Sequence, residues 1–263
     1  MKPKALVLHA TGVNRDHEAA QAIEQAGGSA EIVHVNQLRS GERKWADYQM
    51  LVLPGGFSYA DALGGGRLHA IDLNVYFAEE TRAFVESGKP VIGICNGFQA
   101  LVKAGILPFG RSSRNAATPR TSTLTFNDRG HFECRWVTLK PVSKRCLWTQ
   151  KLRDVIYCPV AHGEGNFQVA DTQTVERLRQ GDQVALVYAN PDGTAAEASY
   201  PENPNGSAAD IAGVCNPEGN VIGLMPHPED HLFPYQHPRW TRGERDRSGL
   251  PLFESGVAYA KEM

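Results

Sequence analysis

"PVIGICNGFQALVKAG", residues 90–105, decides how the rest of the chain is read. Pro90 to Ile94 is a short apolar run of the kind that suits a strand buried on both faces of a parallel sheet. Cys95 follows between Gly93 and Gly97, and a helical stretch then runs to Gly105. Strand, sharp turn and helix with a cysteine at the turn is the geometry of the G-x-S-x-G nucleophile elbow, with sulfur in place of oxygen. Glycines ease a strained turn and leave room for a substrate. At the start of a helix, a thiolate is stabilised by the dipole and by unpaired N–H groups. A single cysteine among apolar neighbours is otherwise most simply a core residue. Here the strand–turn–helix context favours a nucleophile.

Outward from this stretch, "KALVLH" (4–9) and "MLVL" (50–53) are further short apolar runs that read as buried strands. Between them, "DHEAAQAIEQAGG" and "LNVYFAEETRAFVESGK" have helical character and end at glycines. Alternating strand and helix predicts a doubly wound α/β fold. Later runs, "HFECRWVTLK", "QVALVYA", "IAGVCN" and "VIGLMP", alternate more and read as strands that include antiparallel pairs. A polar, turn-rich stretch at about 109–131 reads as an exposed loop or insertion. The expectation is one domain over 1–263: a mostly parallel, doubly wound sheet flanked by helices, with added antiparallel strands in the second half.

The 263 residues are 41% hydrophobic, enough for a full-sized core. Lys and Arg number 27 against 29 Asp and Glu, so no basic field points to nucleic acid or an anionic membrane. Apolar runs are too short for a membrane span or a signal peptide. Five cysteines without a C-x-x-C pair fit neither a disulfide framework nor a zinc ribbon and predict a reducing, cytoplasmic setting.

A thiolate nucleophile needs a base and a group that orients the base. "VIGLMPHPED" (221–230) offers His227 and Glu229 two apart in an extended segment, so that both point the same way. A metal site of His227, Glu229 and His231 lacks the H-E-x-x-H spacing, and no metal is expected. The oxyanion formed by attack on a carbonyl needs fixed donors. "LVLPGGFSYAD" (51–61) places Gly55 and Gly56 after a strand, and the N–H of Asn96 follows the cysteine. Gln99, one helical turn beyond Cys95, reads equally as a substrate contact or as a polar helix residue. The triplet Gly64–Gly66 lacks the rest of any nucleotide motif and reads as a flexible turn that a partner protein would order.

"GICNGFQAL", "MPHPE" and "LPGGFSYADAL" together resemble the class I (triad) glutamine amidotransferases. With "AHGEG" (161–165), "NPNGS" and "IAGVCN" the resemblance narrows to the glutaminase subunits of phosphoribosylformylglycinamidine synthases of purine biosynthesis. It implies Cys95 as nucleophile, His227 and Glu229 as its partners, and L-glutamine as nitrogen source. It further implies a glutamine pocket that includes His162, Gly163 and Glu164, with Glu164 facing the α-amino group. Ammonia would pass to a larger synthetase subunit, where ATP and Mg act, leaving no cofactor in this chain. A small accessory subunit is left open, as are a glutaminase serving another synthetase and a non-catalytic regulatory subunit. His162 is a second candidate base. The loop "HATGVNRDHE" and the stretch "ALGGGRLHA" (62–70) depart from the usual family pattern.

Overall fold

Ala5 to Leu8 and Met50 to Leu53 are buried without a break, so these strands lie in the interior of a sheet covered on both faces. The computed structural model describes residues 2–110 and 121–263. Its first half runs β1 (Lys4–His9), α1 (Asp16–Gln25), β2 (Ser29–His34), α2 (Val35–Arg39), β3 (Met50–Leu53), α3 (Arg67–Ile71), α4 (Ala78–Glu86), β4 (Val91–Ile94) and α5 (Asn96–Lys103). The second half runs β5 (Ser122–Thr125), β6 (Glu133–Pro141), β7 (Ile156–His162), β8 (Asn166–Val169), α6 (Thr172–Gln180), β9 (Val184–Ala189), β10 (Ile211–Cys215), β11 (Val221–Leu224) and α7 (Leu250–Glu262).

Nine strands form one sheet in the order β2-β1-β3-β4-β11-β10-β9-β6-β7, and β5 pairs with β8 in a small second sheet. The five strands from β2 to β11 are mutually parallel, and the other four add antiparallel neighbours. The expected doubly wound α/β architecture is what the chain adopts. From β1 the chain winds one way to β2, and from β3 the other way to β4. Right-handed crossovers then put their helices on opposite faces. The reversal between β1 and β3 opens a crevice at the carboxyl ends of these strands, where folds of this kind bind ligands.

The polar stretch expected over 109–131 is only partly a loop: 111–120 lie outside the described residues, and Ser122–Thr125 is strand β5, in register with Asn166–Val169 of β8. Leu124 is its one buried residue, which explains why the apolar signal is weak. Phe98 of α5 is fully buried and stacks on Phe167 of β8, with ring centroids 6.1 Å apart. Burying a phenylalanine contributes about 1.5–3 kcal/mol, so this pair fastens the second sheet to the helix that follows Cys95.

At the far edge of the nine-stranded sheet, β7 contains Pro159, which cannot donate to a ladder and suits a terminal strand. The Pro159 carbonyl accepts from the N–H of His227 at 2.8 Å. The segment after β11 thereby caps the open edge of β7, and this bond helps seat His227.

Candidate active site

Cys95 has φ 50° and ψ −106°, a conformation that non-glycine residues rarely adopt. The strain sits on the cysteine itself, not on the glycines beside it. Gly97 serves close approach: a Cβ there would lie 2.0 Å from the Leu53 carbonyl oxygen, so α5 rests directly on the end of β3. The turn is held by the Cys95 N–H, which donates to Leu224 of β11 at 2.8 Å, and by the Gln99 N–H, which donates to the Cys95 carbonyl at 3.0 Å. Its Sγ lies 3.9 Å from the Ala161 carbonyl.

His227 follows the C-terminal end of β11, the strand beside β4. Its Nδ1–H donates to Glu229 at 2.6 Å, and both side chains are buried. A Cβ on Gly55 would lie 2.7 Å from His227 Cε1 and 3.4 Å from Cys95 Cβ. Gly55, Cys95 and His227 therefore crowd one point at the ends of three adjacent parallel strands. Burial works against a charged His227, but the Glu229 carboxylate and the Cys95 sulfur outweigh it and hold the imidazole well above its ordinary pKa. His227 Nε2 is buried beside the Cys95 sulfur and makes no hydrogen bond of normal length.

Asp230 joins the acidic side of this group. Burial, with the charge of Glu229, raises its carboxyl to about 6, and Arg15 Nε lies 3.8 Å away as a partial counter-charge. His227, Glu229 and Asp230 each offer a ligand atom within 4.8 Å of the others. The Nδ1 atom of His227 is already taken by Glu229. His231 does not join them: its Nδ1–H donates to the Tyr157 carbonyl at 2.6 Å, and its ring packs edge-on against Trp136.

Gly55 and Gly56 sit where the loops after β1 and β3 meet. Gly56 bridges Val13, and the Phe57 N–H donates to the Gly12 carbonyl at 2.9 Å. The Asn96 N–H lies in the first turn of α5, where amides have no intrahelical partner. The Asn96 side chain is a buried hub: its amide accepts from the Ser58 N–H at 3.1 Å and donates to Asp61 at 2.8 Å and to Gln99 at 2.9 Å. It binds the "GGFSYAD" loop to α5.

Gln99 is buried and its amide nitrogen donates to the Glu164 carbonyl at 2.8 Å. Its position on α5 is buried, unlike the partly exposed place of the alternative reading, and the side chain ties α5 to the "HGEG" segment. The Glu164 carboxylate accepts from the Gly65 N–H at 3.2 and 3.3 Å and faces Lys103 Nζ at 3.6 Å. The Gly64–Gly66 turn is thus pinned within the chain itself, unlike the free turn expected from three glycines.

His162 ends β7 and is buried. Desolvation, with the charge of His227, lowers its pKa to about 3, and its Nε2 accepts from Asn205 at 3.2 Å. Its ring is neutral at ordinary pH and hydrogen-bonded to Asn205. Gly163 gives its carbonyl to the Asn127 N–H at 2.9 Å, and Asn127 Oδ1 accepts from Gly165 at 2.9 Å. Asn127 and Asn205 shape the "HGEG" turn, yet only Asn205 had a sequence signal, as part of "NPNGS". Asn127 has none, since its role depends on two strands far away in sequence.

Over residues 2–260 the chain matches the family described as the CobB/CobQ-like glutamine amidotransferase domain. The chain belongs to this glutamine amidotransferase family. Among its relatives, the phosphoribosylformylglycinamidine synthase subunit PurQ of Treponema denticola is 51% identical, with 98% of this chain and 99% of the relative covered. The PurQ subunit of Dehalococcoides mccartyi is 40% identical, covering 100% and 99%. The solved "Structure of PurLQS from Thermotoga maritima" superimposes with a TM-score of 0.74 at 31% identity, covering 98% of this chain and 99% of that one. The amidotransferase fold therefore extends over nearly the whole chain, and the resemblance seen in "GICNGFQAL" and "MPHPE" holds at the level of the family.

Proposed function

We propose that the chain is the glutaminase subunit of a phosphoribosylformylglycinamidine synthase, hydrolysing L-glutamine to glutamate and ammonia with Cys95, His227 and Glu229. The observation that carries this reading is the strained Cys95 at the β4–α5 junction, beside a buried His227–Glu229 pair bonded at 2.6 Å. The PurQ names of relatives up to 51% identical over nearly the full length support the purine assignment.

Glutamine enters at the carboxyl ends of β1, β3, β4 and β11. The Cys95 thiolate attacks the side-chain carboxamide carbon, and the N–H groups of Gly55, Gly56 and Asn96 receive the oxyanion. Protonated His227 passes its proton to the departing nitrogen, which leaves as ammonia, and Cys95 is left as a glutamyl thioester. Water, deprotonated by His227, then opens the thioester and releases glutamate. Glu229 holds the ring in the tautomer that presents Nε2 to the reaction and stabilises the imidazolium. Gln99, His162 and Gly163 shape the pocket, and Glu164 faces the substrate's α-ammonium.

Ammonia protonated in bulk water is no nucleophile, so the product passes directly to a larger synthetase subunit. That subunit uses ATP and Mg to convert formylglycinamide ribonucleotide to the amidine, and this chain needs no cofactor or metal of its own. The likeness to the solved "Structure of PurLQS from Thermotoga maritima" supports a complex with the larger subunit, and a small accessory subunit is left open. A cytoplasmic setting fits free Cys95, and no helix among the described residues is long and apolar enough to cross a membrane.

Glutamine hydrolysis by the purified chain, with and without the synthetase subunit, tests the reading. Cys95→Ala is expected to lose activity by at least about 10⁴-fold, whereas undiminished turnover refutes it.

A further inference from the structure

Lys103 closes α5, a place where a lysine ordinarily runs into solvent while complementing the helix dipole. Here its side chain is only 11% exposed. The ammonium donates to the Gly65 carbonyl and faces a Glu164 oxygen 3.6 Å away. Gly65 in turn gives its N–H to the same carboxylate at 3.2 and 3.3 Å. One residue of the turn is thus gripped through both its N–H and its C=O by two opposite charges. Gln99 adds a third fastening, from α5 to the Glu164 backbone.

Burial lowers the pKa of Lys103, and Glu164 opposes that shift. Taking an ammonium out of water is unfavourable unless it is paired and hydrogen-bonded, and a glycine turn whose neighbour Leu63 is 74% exposed needs no such device merely to stay folded. The arrangement makes sense if one carboxylate must stand in one place.

We propose that Lys103 is a positioning residue for glutamine, clamping the Gly64–Gly66 turn and the Glu164 carboxylate into the wall on which the substrate's α-ammonium rests. This rests on the reading of Glu164 given under Proposed function. A carboxylate already fixed loses little rotamer freedom when the ammonium arrives, so binding is tighter without any change in the chemical step. Without Lys103, Glu164 keeps only the Gly65 N–H, the Gly65 carbonyl loses its donor, and the wall must be ordered anew in each encounter. The effect falls on KM and spares kcat.

The experiment uses the full chain together with its synthetase subunit and measures kcat and KM for glutamine in Lys103→Met and Lys103→Arg. Alkylation of Cys95 by iodoacetamide, a probe that lacks an amino-acid end, is followed in parallel. Lys103→Met is expected to raise KM about tenfold, the size of one lost charge-assisted hydrogen bond, with kcat within about twofold. Lys103→Arg restores most of the loss, and the alkylation rate is unchanged in both. Should Lys103→Met fail to fold, Lys103→Gln makes the same measurement, because it keeps a donor for Gly65 but no charge. An unchanged KM, or a fall in kcat with altered Cys95 alkylation, overturns the clamp. The Cys95→Ala control separates the two claims: if that variant stays active, the glutaminase reading fails, and if it is dead while KM is unmoved, only the clamp fails.

Discussion

In the proposed mechanism Cys95 and His227 act as a unit, because each supplies what the other lacks. The raised pKa of His227 has burial against it and two acidic neighbours for it, Glu229 first. Removing the carboxylate charge in Glu229→Gln therefore lowers the imidazolium's pKa. Since the proposed mechanism has the protonated ring give its proton to ammonia, the alkaline limb of kcat/KM is expected to move to lower pH. We expect kcat to fall by about 10²-fold or more, with the limb displaced downward in the pH profile. An unmoved limb contradicts the assignment of Glu229 as orienter. At this scale the sequence was most informative where chemistry forces neighbours together: Cys95 in its elbow, and His227 with Glu229 two residues on. It was least informative for Lys103 and Asn127, whose partners Gly65 and Gly163 lie 38 and 36 residues away and leave no local pattern.

The junction of β4 and α5 is where packing controls the site. The helix must lie against the Leu53 carbonyl for the Asn96 N–H and Cys95 to face the crevice, and only the absence of a side chain at Gly97 permits that approach. Gly97→Ala forces backbone apart, so a loss of about 2–4 kcal/mol is expected in denaturant unfolding, together with at least about tenfold lower activity. Preserved stability and activity would show that α5 can shift without consequence. Strands β1, β3 and β4 were legible from their apolar runs because both faces are buried. β2 was not: only Val33 of its six residues is fully buried, as befits a terminal strand. β7 was hidden by Pro159, and α7 lacks an obvious acidic or hydroxyl cap before Leu250.

Across the whole molecule, acid stability follows from rings buried in the neutral state. Burial lowers His69 to about 4 and His162 to about 3, whereas the unfolded rings titrate near 6.5. Between those values the unfolded chain binds more protons than the folded one, so stability is present above pH 6.5 and falls as pH drops. Each ring contributes a slope of up to about 1.4 kcal/mol per pH unit. Asp230, raised to about 6, opposes part of this below pH 6, because its folded form holds a proton that the unfolded chain releases. The melting temperature is expected to fall from pH 6.5 towards pH 4, and His162→Asn is expected to flatten that fall. A curve flat over this range in the parent protein contradicts the account. The fold class was legible at this scale from the alternation of strand and helix, while the antiparallel order β10-β9-β6-β7 was not, since pairing between distant strands has no local signature.

In the proposed mechanism Cys95 carries the glutamyl group during turnover. Acid quenching of the chain during glutamine hydrolysis, followed by peptide mass analysis, tests it most directly. A glutamyl adduct is expected on the peptide containing Cys95, absent without glutamine and absent in Cys95→Ala. Sustained hydrolysis with the adduct on exposed Cys134 or on another residue would contradict it.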